Sequence, residues 1–345
     1  VEVWNEDVKH VAPYELVTKM RASFFIIGPI LARKGLAKVP LPGGCAIGSR
    51  PVNLHIKGLE ALGAQVSMEH GFVIVKAKKL KGGKVYLDFP SVGATESTMM
   101  AASLADGDTV IENAAREPEV ADLANMLIQA GAKISGVGTE VIRISGVSSL
   151  KPVEYRVIPD RIEAGTFMVA AAITGGEITL LNTIPDQVEA TSRKLQEIGV
   201  TIEPSGQTLK VSIKDGIKPA DVKTMPYPGF PTDMQPQVAT LLCLAKGTSI
   251  VTETVFENRF IYINELKRMG ADIKLEGQSA IINGVPLLSS APVKVSDLRA
   301  GAALVLAGLA AKGETLIEDR DHHLERGYDN LLKKLTDLGA DIKYV

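Results

Sequence analysis

With 345 residues, 38 lysines and arginines against 40 aspartates and glutamates, and 46% hydrophobic residues, the chain exceeds what one hydrophobic core usually supports, so two domains are expected. A formal net charge of −2 without a block of like charges argues against nucleic acid or a membrane surface as partner. The longest apolar stretches, Ser23 to Ala32 and Ala302 to Ala311, fall short of the roughly 18 residues of a membrane span, and the two cysteines, Cys45 and Cys243, offer neither metal-ligand spacing nor a disulfide framework, so a cytoplasmic location and no metal are expected.

The chain begins with Val1-Glu-Val-Trp4, which reads as the interior of a strand. The loop Pro40-Leu-Pro-Gly-Gly-Cys-Ala-Ile-Gly-Ser-Arg-Pro51 reads as a lid carrying a reactive thiol. Glycines flank Cys45, prolines stiffen the ends, and Arg50 stands five residues on, a setting that lowers a thiol pKa. Cys243, within Leu-Leu-Cys-Leu on an apolar helix, reads instead as a small buried hydrophobe.

A helical pattern ending in glycine and followed by a strand then recurs at a period of about 70 residues, at Gly63, Gly131, Gly199, Gly270 and Gly339. A second series, Gly35, Gly107, Gly176, Gly247 and Gly313, keeps the same period after Ala-rich helical runs, and each glycine is expected to cap a helix in the left-handed conformation. One unit therefore reads helix, Gly, strand, loop, helix, Gly, strand, turn, strand. Five units can be counted, two before about Tyr155 and three after. This predicts two α/β domains, each with helices inside small surrounding sheets. The first spans 1–158, is expected to be incomplete and carries the lid loop 40–51. The second spans 159–345 with three repeats, and the two are expected to face each other across a cleft.

Superposing the units aligns Arg21, Ser91, Arg161, Asp233 and Arg299 ahead of the first helix, and Arg50, Arg116, Arg259 and Arg326 ahead of the second. Arginine is unfavourable at a helix start, where the dipole already attracts anions. Its recurrence there predicts a bound anion in between. The chain carries no GKS/T loop, no GxGxxG after a strand, no zinc spacing and no serine elbow, which leaves proton transfer on an anionic substrate, with Cys45 and Asp233 as acid and base.

The loop PLPGGCAIGSRPVNLHI, with SVGATES, ENAAREPE, PDRIEAGT, FPTDMQPQ, TETVFENRF, DLRAGAALVLAG and HHLERGYDNL, resembles the UDP-N-acetylglucosamine 1-carboxyvinyltransferases of the enolpyruvyl transferase family, from Val1 to Val345. The resemblance implies an inverse α/β barrel pair of six repeats, each domain pseudo-threefold. It implies enolpyruvyl transfer from phosphoenolpyruvate to the 3-hydroxyl of UDP-N-acetylglucosamine with release of phosphate, the first committed step of peptidoglycan synthesis. No cofactor is implied, and a monomer or weak oligomer is expected. A sixth copy, expected ahead of Val1, would carry the family's Lys-Asn motif that contacts phosphoenolpyruvate. By the same resemblance Cys45 protonates the enol carbon and is the group that fosfomycin alkylates, Asp233 is the base at the sugar hydroxyl, and Arg50, Arg259, Arg299 and Arg326 neutralise phosphate and carboxylate, Arg326 as part of the catalytic set. Arg21, the run Arg50, Pro51, Val52, Asn53 and Leu54, then Ser91, Val92 and Gly93, and Val255 correspond to the UDP-sugar site. Asn53 stands where some members carry aspartate.

Three rivals remain at this stage: enolpyruvylshikimate-phosphate synthase, which lacks the cysteine lid; a non-catalytic UDP-sugar-binding paralogue; and an RNA 3′-phosphate cyclase-like enzyme, which would need a nucleotidylated histidine. His322 and His323 read as a solvated loop pair, and His10, His55 and His70 as structural.

Overall fold

Glycine sets the boundaries of the elements in the computed structural model of the chain, which describes residues 1–345 apart from 6, 18–19, 43–46 and 49–51 and apart from the side chain of Arg21. Contacts divide the chain into two compact units, Val1–Cys45 with Arg50–Ile158, and Ala46–Ser49 with Pro159–Val345.

In the first unit, helices α1 (Tyr14–Val17), α2 (Ile27–Lys34), α3 (Asn53–Ala61), α4 (Val92–Ala102) and α5 (Pro118–Gln129) accompany two sheets. Strands β1 (Leu36–Pro40), β2 (Gln65–Glu69) and β3 (Phe72–Lys76) pair antiparallel in the order β1-β3-β2. Strands β4 (Lys84–Tyr86), β5 (Asp108–Glu112), β6 (Lys133–Ser135) and β7 (Val141–Ser145) follow the order β4-β5-β7-β6, parallel only between β4 and β5. Helix α4 is buried because its neighbours are notched to receive it. A Cβ on Gly28 of α2 would stand 2.1 Å from the Ser97 carbonyl oxygen, and one on Gly58 of α3 would stand 2.0 Å from Thr98 Oγ1.

The second unit repeats this design around three buried helices, α6 (Arg161–Thr174), α8 (Gln235–Leu242) and α10 (Leu298–Ala310), which pack on one another. Helices α7 (Glu189–Ile198) and α9 (Ile263–Arg268) lie between them in sequence, and α11 (His323–Gly327) and α12 (Leu331–Asp337) follow the last of them. Strands β8 (Glu177–Leu181), β9 (Val200–Ser205) and β10 (Thr208–Ile213) pair in the order β8-β10-β9. Strands β11 (Val222–Lys223), β12 (Thr248–Thr252), β13 (Asp272–Glu276) and β14 (Ser279–Asn283) take the order β11-β12-β14-β13. Strands β15 (Val293–Lys294) and β16 (Ile317–Glu318) form a parallel pair. All of α8 is buried, as is α10 from Arg299 to Ala307. Each leucine or valine so enclosed stabilises the fold by about 1.5–3 kcal/mol.

The first glycine series behaves as the spacing predicts. At Gly63, Gly131, Gly270 and Gly339 φ is positive, between 85° and 106°. The glycine N–H donates to Glu60, Ile128, Lys267 and Thr336 respectively, and the next alanine N–H reaches back to Leu59, Leu127, Leu266 and Leu335. This is the same helix stop built four times. At Gly63, Gly131 and Gly339 a Cβ would meet nothing within 4 Å, so backbone conformation rather than space requires glycine there.

The second series departs from the prediction. Gly35 caps α2 in the left-handed region, but at the start of β8 the cap is Gly175 (φ 71°), not Gly176. Gly107, Gly247 and Gly313 have positive φ but follow helices that already ended at Ala102, Leu242 and Ala310. They sit in the turns that enter the strands. Val1–Trp4 is no strand, and neither is 340–345. In the other units the strand after the glycine pairs with the second strand of its hairpin, and among the described residues none pairs with 340–345.

Candidate active site

Asp233 lies in a 3-10 turn (Thr232–Met234) that leads into α8, at the point where Pro231 ends the preceding extended segment and Pro236 is preset for the helix. Its two carboxylate oxygens are held by different arginines. Arg259 Nη2 donates to Oδ1 at 3.0 Å and Arg299 Nη2 donates to Oδ2 at 3.3 Å. The carboxylate is 39% exposed, whereas the side chains of Arg259 and Arg299 are 2% and 11% exposed. Burying a guanidinium is costly unless its donors are used. Here Arg259 Nε and both Nε and Nη1 of Arg299 are buried without a hydrogen-bond partner among the described residues. Burial by itself would lower the Arg299 pKa; the Asp233 carboxylate, followed by Tyr328 and Asp160, reverses the direction, and the guanidinium stays charged. The Tyr328 ring lies 5.4 Å from Arg299 Cζ. Three guanidinium N–H groups without an acceptor among the described residues, next to a half-exposed carboxylate, are what an oxyanion and a hydroxyl would together satisfy.

The recurring arginines at helix starts have a different local explanation from the bound anion expected of them. Asp160 caps α6, accepting from Ile162 N (2.8 Å) and Glu163 N (3.1 Å), and Asp297 caps α10, accepting from Arg299 N (3.0 Å) and Ala300 N (3.1 Å). An aspartate supplied by the chain meets the helix dipole, and the arginine side chain is left for other work. That of Arg161 lies over the Tyr227 ring at 5.7 Å. The signal was present as aspartate one or two residues before arginine, in PDRI and SDLR. Arg116 pairs with Glu140 at 3.6 Å. Arg326 stands ahead of α12, the helix that ends at Gly339, as the spacing predicts, but in the last turn of the short α11 rather than in a loop, and it is exposed there, where the dipole favours a cation. It lies two residues before Tyr328.

Val255 is half-buried, and its N–H donates to Glu253 Oε1 at 2.8 Å. In the first unit the residues aligned with a sugar-nucleotide site cluster at two helix starts. Val52 is buried ahead of α3, Asn53 is its exposed first residue, and Leu54 follows, half-buried. Ser91 caps α4, its Oγ accepting from Ala94 N at 3.3 Å, with Val92 and Gly93 in the first turn. No side chain fits at Gly93, where a Cβ would stand 2.4 Å from the Phe25 ring and 2.9 Å from His55. His55 is buried, edge-on to Phe24 at 5.1 Å, with Nδ1 2.8 Å from Ser97 Oγ. Arg21 begins a 3-10 turn (Arg21–Ile26) beside this helix. Cys45, Arg50 and Pro51 lie outside the described residues.

The remaining titratable groups separate into structural and sensitive ones. Burial pushes the Cys243 thiol up to about 12. His70 and Gly71 both take positive φ in the β2–β3 turn, a hairpin role. His323, contrary to the solvated reading, is half-buried and rests on Asp319, which also accepts from the N–H groups of His323 and Leu324. Glu96 on α4 is pushed up to about 7 by burial, then by Glu119 and Glu117. The folded state therefore holds this proton above the ordinary carboxylate range, so stability is lost as pH rises through that range to about 7. Each pH unit in this window costs up to about 1.4 kcal/mol. Glu96→Gln is expected to flatten the fall of melting temperature between pH 5 and 8, and identical pH curves for parent and variant would contradict this.

Among the described residues no helix is long and apolar enough to cross a membrane, and no group of three or more His, Cys, Asp or Glu side chains could hold a metal ion. The family model of EPSP synthase (3-phosphoshikimate 1-carboxyvinyltransferase) matches residues 2–335. UDP-N-acetylglucosamine 1-carboxyvinyltransferase 1 of Caldanaerobacter subterraneus is 60% identical over 337 residues, which is 97% of this chain and 81% of the relative. The UDP-N-acetylglucosamine 1-carboxyvinyltransferase of Desulfosudis oleivorans is 57% identical over 336 residues, 97% of this chain and 80% of its own length. The crystal structure of the enolpyruvyl transferase NikO from Streptomyces tendae superposes with a TM-score of 0.85 at 25% identity, covering 97% of this chain and 80% of that one. EPSP synthase from Acinetobacter baumannii gives a TM-score of 0.70 at 20% identity over 95% of this chain and 79% of that one, a likeness of fold. The chain belongs to the enolpyruvyl transferase family, which takes in EPSP synthase and the UDP-N-acetylglucosamine 1-carboxyvinyltransferases.

Proposed function

We propose that the chain is a transferase that moves the enolpyruvyl group of phosphoenolpyruvate to the 3-hydroxyl of UDP-N-acetylglucosamine and releases phosphate, in the cytoplasm and in the service of peptidoglycan synthesis. The observation that carries the chemistry is the Asp233 carboxylate held between two buried arginines whose remaining buried N–H groups include three without an acceptor among the described residues. Identity of 60% to a named UDP-N-acetylglucosamine 1-carboxyvinyltransferase supports the choice of substrates.

In this reading the sugar oxygen attacks C2 of phosphoenolpyruvate as its proton passes to Asp233, while C3 takes a proton from the Cys45 thiol, which gives a tetrahedral ketal. The C2–O bond to phosphate then breaks, C3 loses a proton and the enol ether is left on the sugar. Arg259, Arg299 and Arg326, with Arg50 of the lid, neutralise the carboxylate and the departing phosphate as charge develops. Arg21, Arg50, Pro51, Val52, Asn53 and Leu54, Ser91, Val92 and Gly93, and Val255 hold the UDP-sugar. Ser91 to Gly93 open α4, where backbone N–H groups and the helix dipole suit a diphosphate. The two units are the family's two domains, and the protein acts as a monomer or weak oligomer.

The test is phosphate release from phosphoenolpyruvate with UDP-N-acetylglucosamine or shikimate 3-phosphate as acceptor. Release with the UDP-sugar alone is expected. Release with shikimate 3-phosphate alone would move the chain to the sibling activity named by the family model, and release with neither would sink the reading.

A further inference from the structure

Glu253 lies next to the Asp233 site, within the run TETVFENRF, but is not among the candidate site residues named above. It follows β12 and is 1% exposed, yet no lysine, arginine or histidine pairs with it among the described residues. Its carboxylate accepts four hydrogen bonds, all from neutral donors. Thr224 Oγ1 (2.9 Å), Val255 N (2.8 Å) and Phe256 N (3.2 Å) donate to Oε1, and Thr232 Oγ1 (2.9 Å) donates to Oε2.

These donors come from three separate segments. Val255 and Phe256 open the turn that runs to Arg259, Thr232 is the residue immediately before Asp233, and Thr224 closes β11. Thr224 is itself tied to the same turn, accepting from Thr254 N at 2.9 Å through its hydroxyl and from Thr254 Oγ1 at 2.6 Å through its carbonyl. One buried carboxyl group thus joins the backbone that carries Asp233 to the backbone that carries Arg259. Leaving a buried donor without its acceptor is costly, so four bonds converging on one buried side chain make their geometry hard to vary.

We infer that Glu253 is a positioning residue for the Asp233–Arg259 pair, acting through the Thr232 hydroxyl on one side and the Val255–Phe256 turn on the other. The inference rests on the transferase reading for its catalytic consequence. Removing the Thr232 tie would let the Asp233 turn shift relative to Arg259 without touching either charged group, and a displacement of an ångström at such a pair is costly to turnover.

Because Glu253→Ala leaves two peptide N–H groups and two hydroxyls without an acceptor and could simply unfold, the test uses Thr232. Thr232→Val is nearly isosteric and deletes only the hydroxyl, and Thr232→Ser restores it. On the full chain, Thr232→Val is expected to lower kcat about tenfold and to weaken phosphoenolpyruvate binding by calorimetry severalfold, with the melting temperature and the KM for UDP-N-acetylglucosamine close to the parent's. Thr232→Ser is expected to return both kcat and binding to within about twofold. Parent-like kcat and phosphoenolpyruvate affinity in Thr232→Val, or a loss that Thr232→Ser fails to restore, would overturn the positioning role. If the parent itself turns over neither acceptor, the transferase reading fails separately, and the calorimetric comparison of Val, Ser and parent still decides whether the Thr232–Glu253 tie sets the anion site.

Discussion

Asp233→Asn is expected to lower kcat by about three orders of magnitude and to leave a folded chain that still binds UDP-N-acetylglucosamine. The amide keeps the size of the carboxylate and one carbonyl acceptor, so one of the two arginine bonds at 3.0 and 3.3 Å persists. It loses the charge on which a proton can settle, and general-base assistance by a positioned side chain is worth roughly 10²–10⁴ in rate. The amide nitrogen would also face a guanidinium, donor against donor, which puts the remaining cost on geometry at the reacting hydroxyl. Single-turnover phosphate release together with UDP-sugar titration separates the two effects. Turnover within a few-fold of the parent would remove Asp233 from the base role.

The second large effect is expected at Cys45→Ala. If the thiol delivers the proton to the enol carbon, its removal takes away the acid of the same step, and a loss of roughly 10²–10⁴ in kcat follows with UDP-sugar affinity nearly intact. The loop composition supports this acid role. Glycines on either side, the absence of apolar neighbours on one flank and Arg50 five residues away are features of reactive rather than packed cysteines. Substantial turnover by Cys45→Ala would place the proton source elsewhere.

What could be read in the sequence and what could not follow from the range of the interactions. The stops at Gly63, Gly131, Gly270 and Gly339 were legible because a left-handed residue at the end of a helix is a local demand, met within a few residues. The same locality explains the misplacement at Gly176. Two adjacent glycines satisfy the pattern equally, and only the backbone selects Gly175. The grouping of Asp233, Arg259 and Arg299 was suggested by superposing the repeats, since equivalent helix starts around three packed helices converge within one unit. Yet the anion expected at those helix starts is, in α6 and α10, the chain's own Asp160 and Asp297. Tyr328 beside Arg299 and Glu253 near Asp233 fall within the quoted runs HHLERGYDNL and TETVFENRF, but their contacts were not legible. Neither carries a spacing signal, because Tyr328 meets its partners across 91 and 162 residues of chain and Glu253 reaches Thr224 across 29.

The burial of Cys243 has a use in counting. With its side chain buried at the end of α8 and its thiol pushed up to about 12, it stays protonated at neutral pH and out of reach of a dissolved electrophile. If Cys45 is the reactive thiol proposed above, a thiol reagent applied to the native chain reads Cys45 first, and the second equivalent of label enters only when the helices of the second unit part. The delay between the first and second equivalents is a clock for the opening of that unit, supplied by the protein without an added probe.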